Sequence, residues 1–427
     1  MLKVIAFAFA LVLGTQAQAQ EIISLNDIGG LHSAYVIPRD DLDRVDVQLI
    51  VLSGAYDDPY PSGTAHFTEH LAAFSADATV LRQPRTRDLF AKTTSVASVY
   101  TNSGTPDEFD RLMKLSRALL DPPNLPLDFM QSEIKIVQRE THLRERQYST
   151  RWLTRRALQN LYQSKNGRAN NAVEDLPKLN LEAALKFHQE HYVASNVTLL
   201  ISGKIDPETA ASMVTKYFGE TEKTTPPAKP WLEAKPDPSH RSIEELTSDR
   251  LANNTLVYSK FIDLKDVETS VNMQGTFFIG STIYMNRIDK ALMYDVLDYG
   301  SVDMGSYFAK NGDLEVTMIL VPLPHVTLEK ALDTVENTIA QLLEAPLTQE
   351  EIEAARKQNM ISAQNAARSV TSFLNFLENV AADGFPPITP GSYAQILEDT
   401  SDEEVKDFLN SFVAPAATSA LLARKGD

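Results

Sequence analysis

The sequence predicts an α+β protein made of two homologous α/β-sandwich domains, each a mixed or antiparallel sheet packed with helices. Three observations lead there. Strand-like and helix-like segments alternate along the chain with no glycine-rich nucleotide-binding fingerprint. The stretch from Thr221 to His240 carries Pro226, Pro227, Pro230, Pro236 and Pro238, a density that removes backbone donors and fixes φ, so neither a helix nor a central strand persists there. Finally, the two halves end alike: Phe187 to Asn196 leads into a strand-like run from Val197 to Ser202, and Phe408 to Pro415 leads into an apolar run ending at Ala423. The expected division is an N-terminal domain over 20–220, a linker over 221–244 and a C-terminal domain over 245–427.

Taken in order, Met1-Leu2-Lys3, the apolar run Val4 to Leu13 and the small-residue site Ala17-Gln18-Ala19 read as a secretory signal peptide over 1–19. The expected compartment is the periplasm of a Gram-negative bacterium, an uncleaved anchor being the alternative. No later segment reaches the ~20 apolar residues of a membrane helix. Val45 to Ser53 has the pattern of a sheet strand, followed by a turn-rich loop over Gly54 to Gly63 and a helix over Thr64 to Phe74. Pro126 suits a helix start, and the absence of Pro and Gly from Leu127 to Leu161 predicts one long helix. In the second half, Leu314 to Val321 reads as a strand, with helices over Leu328 to Leu343 and Gln349 to Val380.

Composition excludes several classes of function. A formal charge of −17 repels nucleic acid phosphates and anionic membranes, while attracting basic partners at long range. Cysteine is absent, so stability rests on packed cores, for which 43% hydrophobic residues suffice.

The chemistry is carried by His66-Phe67-Thr68-Glu69-His70. On a helix these positions share a face, so two imidazoles can hold one ion with Glu69 beside it as general base. Imidazole suits Zn²⁺, and a catalytic site needs one further protein ligand and an open position for water. The downstream helix offers Glu133 and Glu140, seven residues apart on one face. Glu140 is expected to complete the metal set. Glu133 is expected to assist catalysis from two turns away, orienting a ligand or relaying a proton; the alternative is a solvated carboxylate paired with Lys135 or Arg139. His188 and His191 have no matching carboxylate and are read as structural. His142 faces away from Glu140. Arg139, Arg144, Arg146, Arg151, Arg155 and Arg156 are read as a solvated face, with Arg144 one turn past Glu140 and able to neutralise it.

On these residues the chain resembles the inverted-motif zinc peptidases of the pitrilysin and insulinase family, particularly the branch of the mitochondrial processing peptidase subunits. Leu52-Ser53-Gly54-Ala55, Phe187-His188 to Gly203, and Leu347-Thr348 to Gln358 are also similar. The resemblance implies two similar domains per chain, two chains enclosing a chamber, and unfolded peptide substrates that add as a strand to a sheet edge, here about Ser95 to Thr101. It departs from the family at Phe74-Ser75-Ala76-Asp77, at Ser98, which stands where the substrate strand usually has Asn, and at Gly300, which stands seven residues before Tyr307 where active members often have an Arg. Ser98 and Tyr307 are the implied substrate contacts. A glycine cannot replace a guanidinium's paired donors, so the expectation is a zinc-bearing catalytic subunit whose homologous partner supplies the Arg-Tyr pair, otherwise a homodimer. The alternative is a non-catalytic assembly or peptide-binding subunit.

Overall fold

The computed structural model describes residues 22–426 except 26–27, 59–60, 82–88, 148, 164–172, 264–270, 293–298, 309–312, 368–371, 373–374, 377–380, 382–387 and 412–415. The expected signal peptide lies outside the described residues.

The first sheet comprises β1 (Ile23–Ser24), β2 (Ser33–Pro38), β3 (Val45–Val51), β4 (Leu89–Thr93), β5 (Ser98–Gly104) and β6 (Val197–Gly203), in the order β1-β2-β6-β3-β5-β4. β2 pairs with β6 in parallel, and the other neighbours are antiparallel. Every residue of β3 and β6 is buried, because both faces of the sheet are covered. On one face Val47, Leu49, Leu199 and Ile201 pack against α1 (Thr64–Leu81) and α2 (Phe109–Ala118). On the other, Ile50, Val99 and Leu200 meet Ala381 and Phe376 from the second half.

Helices α3 (Leu127–Gln147) and α4 (Ser149–Tyr162) follow. Both are helical as expected over Leu127 to Leu161, and residue 148 between them lies outside the described residues. α5 (Leu181–His191) starts on the Asn180 side chain, which accepts from the Ala183 amide at 2.9 Å, and α6 (Pro207–Phe218) starts on Asp206 with Pro207 in the first turn. After the short α7 (Pro230–Glu233) comes the second sheet: β7 (Arg241–Ser248), β8 (Thr255–Asp263), β9 (Tyr299–Phe308), β10 (Asp313–Pro322) and β11 (Thr418–Lys425), in the order β7-β11-β8-β10-β9. Its core packs against α8 (Val271–Asp289), α9 (Leu328–Glu344), α10 (Gln349–Ala367) and the helices Pro390–Asp399 and Asp402–Ser411.

The duplication expected from the sequence is explicit in the strand order. Setting β1 aside, each unit reads first, last, second, fourth, third, and in each the first and last strands are the parallel pair. Gln349–Ala367 accounts for the start of the helix expected to Val380, whose remainder falls largely outside the described residues.

Two findings tie the units together. α4 belongs by sequence to the first unit, yet it packs on the second sheet: Leu153 and Ala157 join Leu251, Val257, Leu421 and Ala423, while Leu158, Leu161 and Tyr162 join Phe261 and Ala417. Polar contacts fix the docking. Arg156 grips Glu244 through Nε and Nη2 at 2.9 and 2.7 Å, Asn160 donates to the same carboxylate at 2.6 Å, and the buried Tyr162 hydroxyl donates to Glu315 at 2.9 Å. The proline-rich stretch is likewise anchored. Trp231 is 4% exposed, its indole N–H donates to Asp57 at 2.9 Å, and its ring meets Tyr56 edge-on with centroids 5.4 Å apart. Lys229 lies 3.6 Å from the same Asp57 carboxylate. The linker bounds need one correction: β7 begins at Arg241, opposite Thr418, so residues 241–244 belong to the second sheet.

Candidate active site

The helix carrying the histidines is fixed at its start. The Asp58 carboxylate accepts from the Gly63 amide at 2.7 Å and from the Ala65 amide, satisfying donors at the N-terminus of α1. Gly63 sits at φ +90°, a conformation that L side chains rarely adopt. Phe67 and Leu71 on one flank of α1 pack with Met130 and Val137 of α3, which turns Glu133 and Glu140 toward the neighbouring flank that carries His66, Glu69 and His70.

The geometry brings the expected ligands together. His66 Nε2 lies 3.6 Å and His70 Nε2 3.8 Å from Glu140 Oε2, with the two rings 4.9 Å apart and almost perpendicular. One donor atom from each of His66, His70 and Glu140 falls within 4.8 Å of the others, the only such group among the described residues. Two imidazole nitrogens and one carboxylate oxygen, all partly buried, fit an ion of the zinc type with one position left open.

Surrounding residues prepare these ligands. Burial, reinforced by the charges of His70 and Arg144, pushes the His66 imidazole down to about 3, so it is neutral near pH 7 and its contact with Glu140 is not an ion pair. His70 Nδ1 is 3.0 Å from Glu133 Oε2, an interaction that makes Nδ1 the protonated nitrogen and leaves the Nε2 lone pair for a metal. Glu133 is 4% exposed, so it is a buried partner of His70 and not a solvated carboxylate. Arg144 Nη2 lies 3.4 Å from Glu140 Oε2, as its spacing implies.

Glu69 is 5% exposed, and burial raises its affinity for a proton, opposed first by a hydrogen bond from Thr93. The Thr93 hydroxyl donates to Glu69 Oε2 at 2.7 Å. Sequence reasoning missed Thr93, because a contact across 24 residues between a strand end and a helix leaves no local pattern.

Other expectations resolve differently. Among the described residues the first sheet ends in β1 on one side and β4 on the other, so the Ser95 to Thr101 stretch is not an edge: β5 lies between β3 and β4. Ser98 is fully buried, and its hydroxyl donates to the Ser53 carbonyl at 3.0 Å, so it faces the protein interior and cannot line an open strand edge. Tyr307 lies in β9, at one end of the second sheet, with its backbone opposite Glu315 of β10, but its side chain lies outside the described residues. Gly300 is the second residue of the same strand. His188 and His191 are structural, as expected: the His188 ring pairs with the Leu119 carbonyl at 3.0 Å and the His191 ring with the Ser53 hydroxyl at 2.8 Å. His142 is exposed.

Beside His66 opens a cleft of about 700 Å³, bounded by Tyr56 and Gly63, the strand end Thr93 to Ser95, Thr141 and Arg144 of α3, Arg151, Thr154, Arg155 and Leu158 of α4, and Ile319 of β10. Arg139, Arg144, Arg151 and Arg156 are exposed, as expected of a solvated face, but the cluster serves more than one surface. Arg144, Arg151 and Arg155 line the cleft, while Arg156 holds Glu244.

Comparison with known proteins agrees with this architecture. Residues 178–359 match the family model described as the Peptidase M16 inactive domain, a span that covers the end of the first unit, the linker and much of the second, and lies outside the His66 to Glu140 site. The first half of the periplasmic protease PqqL from Escherichia coli superposes with a TM-score of 0.70 at 13% identity, covering 95% of this chain and 92% of that one. A putative M16-like peptidase from Alicyclobacillus acidocaldarius gives 0.71 at 16% identity, covering 95% and 99%. Pitrilysin gives 0.63 at 13% identity, covering 96% of this chain and 45% of that one. No curated protein sequence matches. The fold is that of the pitrilysin-like M16 peptidases. Among the described residues no helix is long and apolar enough to cross a membrane.

Proposed function

We propose that this chain is a zinc metalloendopeptidase that hydrolyses peptides or unfolded polypeptide segments. The observation that carries the reading is the convergence of His66, His70 and Glu140 donor atoms within 4.8 Å, beside a buried Glu69 held by Thr93. A zinc ion bound there would polarise the scissile carbonyl and acidify the attacking water.

The chain's own groups do the rest. Glu69 takes the water's proton and delivers it to the leaving amine, a role suited to a carboxylate whose proton affinity is raised by burial. The Thr93 hydroxyl fixes the rotamer of that carboxylate. Glu133 orients His70 through Nδ1 and so points its Nε2 toward the other ligands. β4 offers the free backbone edge on which an extended peptide can add as a further strand, and Thr93 at its end brings that edge to Glu69.

The reading extends to assembly and place. Gly300 lacks the guanidinium that would grip a substrate backbone, which supports a catalytic subunit paired with a homologous chain that supplies an Arg-Tyr pair, a homodimer being the other arrangement. The leader-like residues 1–19, together with the likeness to a protein described as a periplasmic protease, support export to the periplasm.

The test is cleavage of quenched peptides alongside metal analysis. Glu69→Gln is expected to retain stoichiometric zinc and lose nearly all turnover, while His70→Ala and Glu140→Ala lose zinc as well. Undiminished cleavage by metal-loaded Glu69→Gln would sink the assignment.

A further inference from the structure

The cleft beside His66 is of opposite sign to the molecule. The chain carries a formal charge of −17, yet the charged residues lining this cleft are Arg144, Arg151 and Arg155, with no Asp or Glu among the described lining residues. The arrangement is built rather than incidental. α4 is docked on the second sheet by Leu153 and Ala157 in the apolar cluster and by the two-pronged Arg156 to Glu244 grip, so the helix that carries Arg151 and Arg155 is held rigidly. The rest of the lining is mainly small and hydroxylic, with Thr93, Thr94, Ser95, Thr141, Thr150 and Thr154 leaving room and offering hydrogen bonds.

Position gives the cleft its meaning. It begins where β4 ends, at Thr93 to Ser95, and it includes the candidate ligand His66. A peptide lying along β4 with its scissile bond at Glu69 therefore runs into this space within a few residues. Each guanidinium has five donors in a fixed fork, so it can hold a neighbour and still present two donors to a carboxylate.

We propose that this cleft is a carboxylate-selecting subsite, in which Arg151 and Arg155, with Arg144 behind them, bind an Asp or Glu side chain of the substrate a few residues from the cleaved bond. The proposal rests on the peptidase reading above and names the substrate class that reading leaves open. Long-range attraction of basic chains by the acidic surface and local selection of an acidic residue are compatible, because the first acts on the whole chain and the second on one position.

The experiment uses peptides identical except for Asp, Asn or Lys placed in turn at each position on both sides of the cleaved bond. With the zinc-loaded full chain, kcat/KM is expected to fall from Asp to Asn by about ten-fold at one position, as for loss of a charge-assisted pair, and further for Lys. In Arg151→Glu and Arg155→Glu the Asp-to-Lys ratio at that position should collapse or invert. Arg144 is left intact because it also contacts Glu140. Binding of the same labelled peptides to Glu69→Gln, read by fluorescence anisotropy, is a second measurement independent of turnover. Cleavage with equal rates for Asp, Asn and Lys at every position overturns the subsite and leaves the peptidase reading standing. Absence of cleavage with a retained Asp preference in binding does the reverse. Should either Glu variant fail to fold, the scan with the unaltered chain decides alone, and a preference that survives both substitutions refutes the assignment to these arginines.

Discussion

Leu153→Ala tests whether the docking of α4 is what holds the cleft beside His66 in shape. Leu153 is fully buried between α4 and the second sheet, in a cluster with Ala157, Leu251, Val257, Leu421 and Ala423. Its removal forfeits the burial of a leucine and leaves a cavity that a sheet held by β11 and β8 cannot readily collapse around, a loss of about 3 kcal/mol. That energy falls on the attachment of α4 rather than on the first sheet, none of whose described strand residues belongs to this cluster. Hydrogen exchange should therefore show amides of α4 losing protection by about a hundred-fold, while β3, β6 and α1 keep theirs and zinc content is unchanged. Activity should fall with it, since Arg151, Thr154, Arg155 and Leu158 are a wall of the cleft. Unchanged exchange in α4, or loss spread evenly through β3 and β6, would refute the argument that this helix is an independent strut.

Three other outcomes are expected. Glu133→Gln weakens the hold on His70 Nδ1, and metal affinity measured by chelator competition should drop about 10- to 100-fold; an unchanged affinity would remove Glu133 from the site. Thr93→Val deletes the 2.7 Å donor to Glu69 while keeping a β-branched strand residue, so kcat/KM should fall about ten-fold at full zinc occupancy, and equal kinetics would show that the hydroxyl does not position the base. Trp231→Phe keeps the ring against Tyr56 but strands one oxygen of Asp57, at a cost of about 1 to 2 kcal/mol in denaturant unfolding; an unaltered midpoint would mean that the linker is not clasped there.

The candidate metal site was legible in the sequence because its parts obey a local period. His66, Glu69 and His70 lie within two turns, and Glu133 and Glu140 lie on one face of one helix, so spacing alone placed them. The repeated architecture was legible from its helix-to-strand endings at Val197 and Thr418. The edge strand of the first sheet was not. β4 is five residues of mixed exposure with no clear alternation, and nothing in the run Ser98 to Gly104 says that a further strand covers its outer side. The role of α4 was hidden for another reason: Leu153, Ala157 and Leu161 announce an apolar stripe, but nothing in a stripe says which of two sheets receives it. The arginines of the cleft follow from that docking and were hidden with it.

The strand order has a further bearing, on how the chain comes to be folded. In each unit the last strand occupies an interior place, β6 between β2 and β3 and β11 between β7 and β8. The first sheet cannot close until residue 203 is available, and β2 must wait for a partner about 160 residues downstream, as in the Ser33 to Thr198 register. The second waits for Lys425. Such late, long-range closure makes folding slow and leaves a gap in mid-sheet in every shorter chain. Deletion of Thr418–Lys425 would thus remove the central tie of the second unit rather than trim an end.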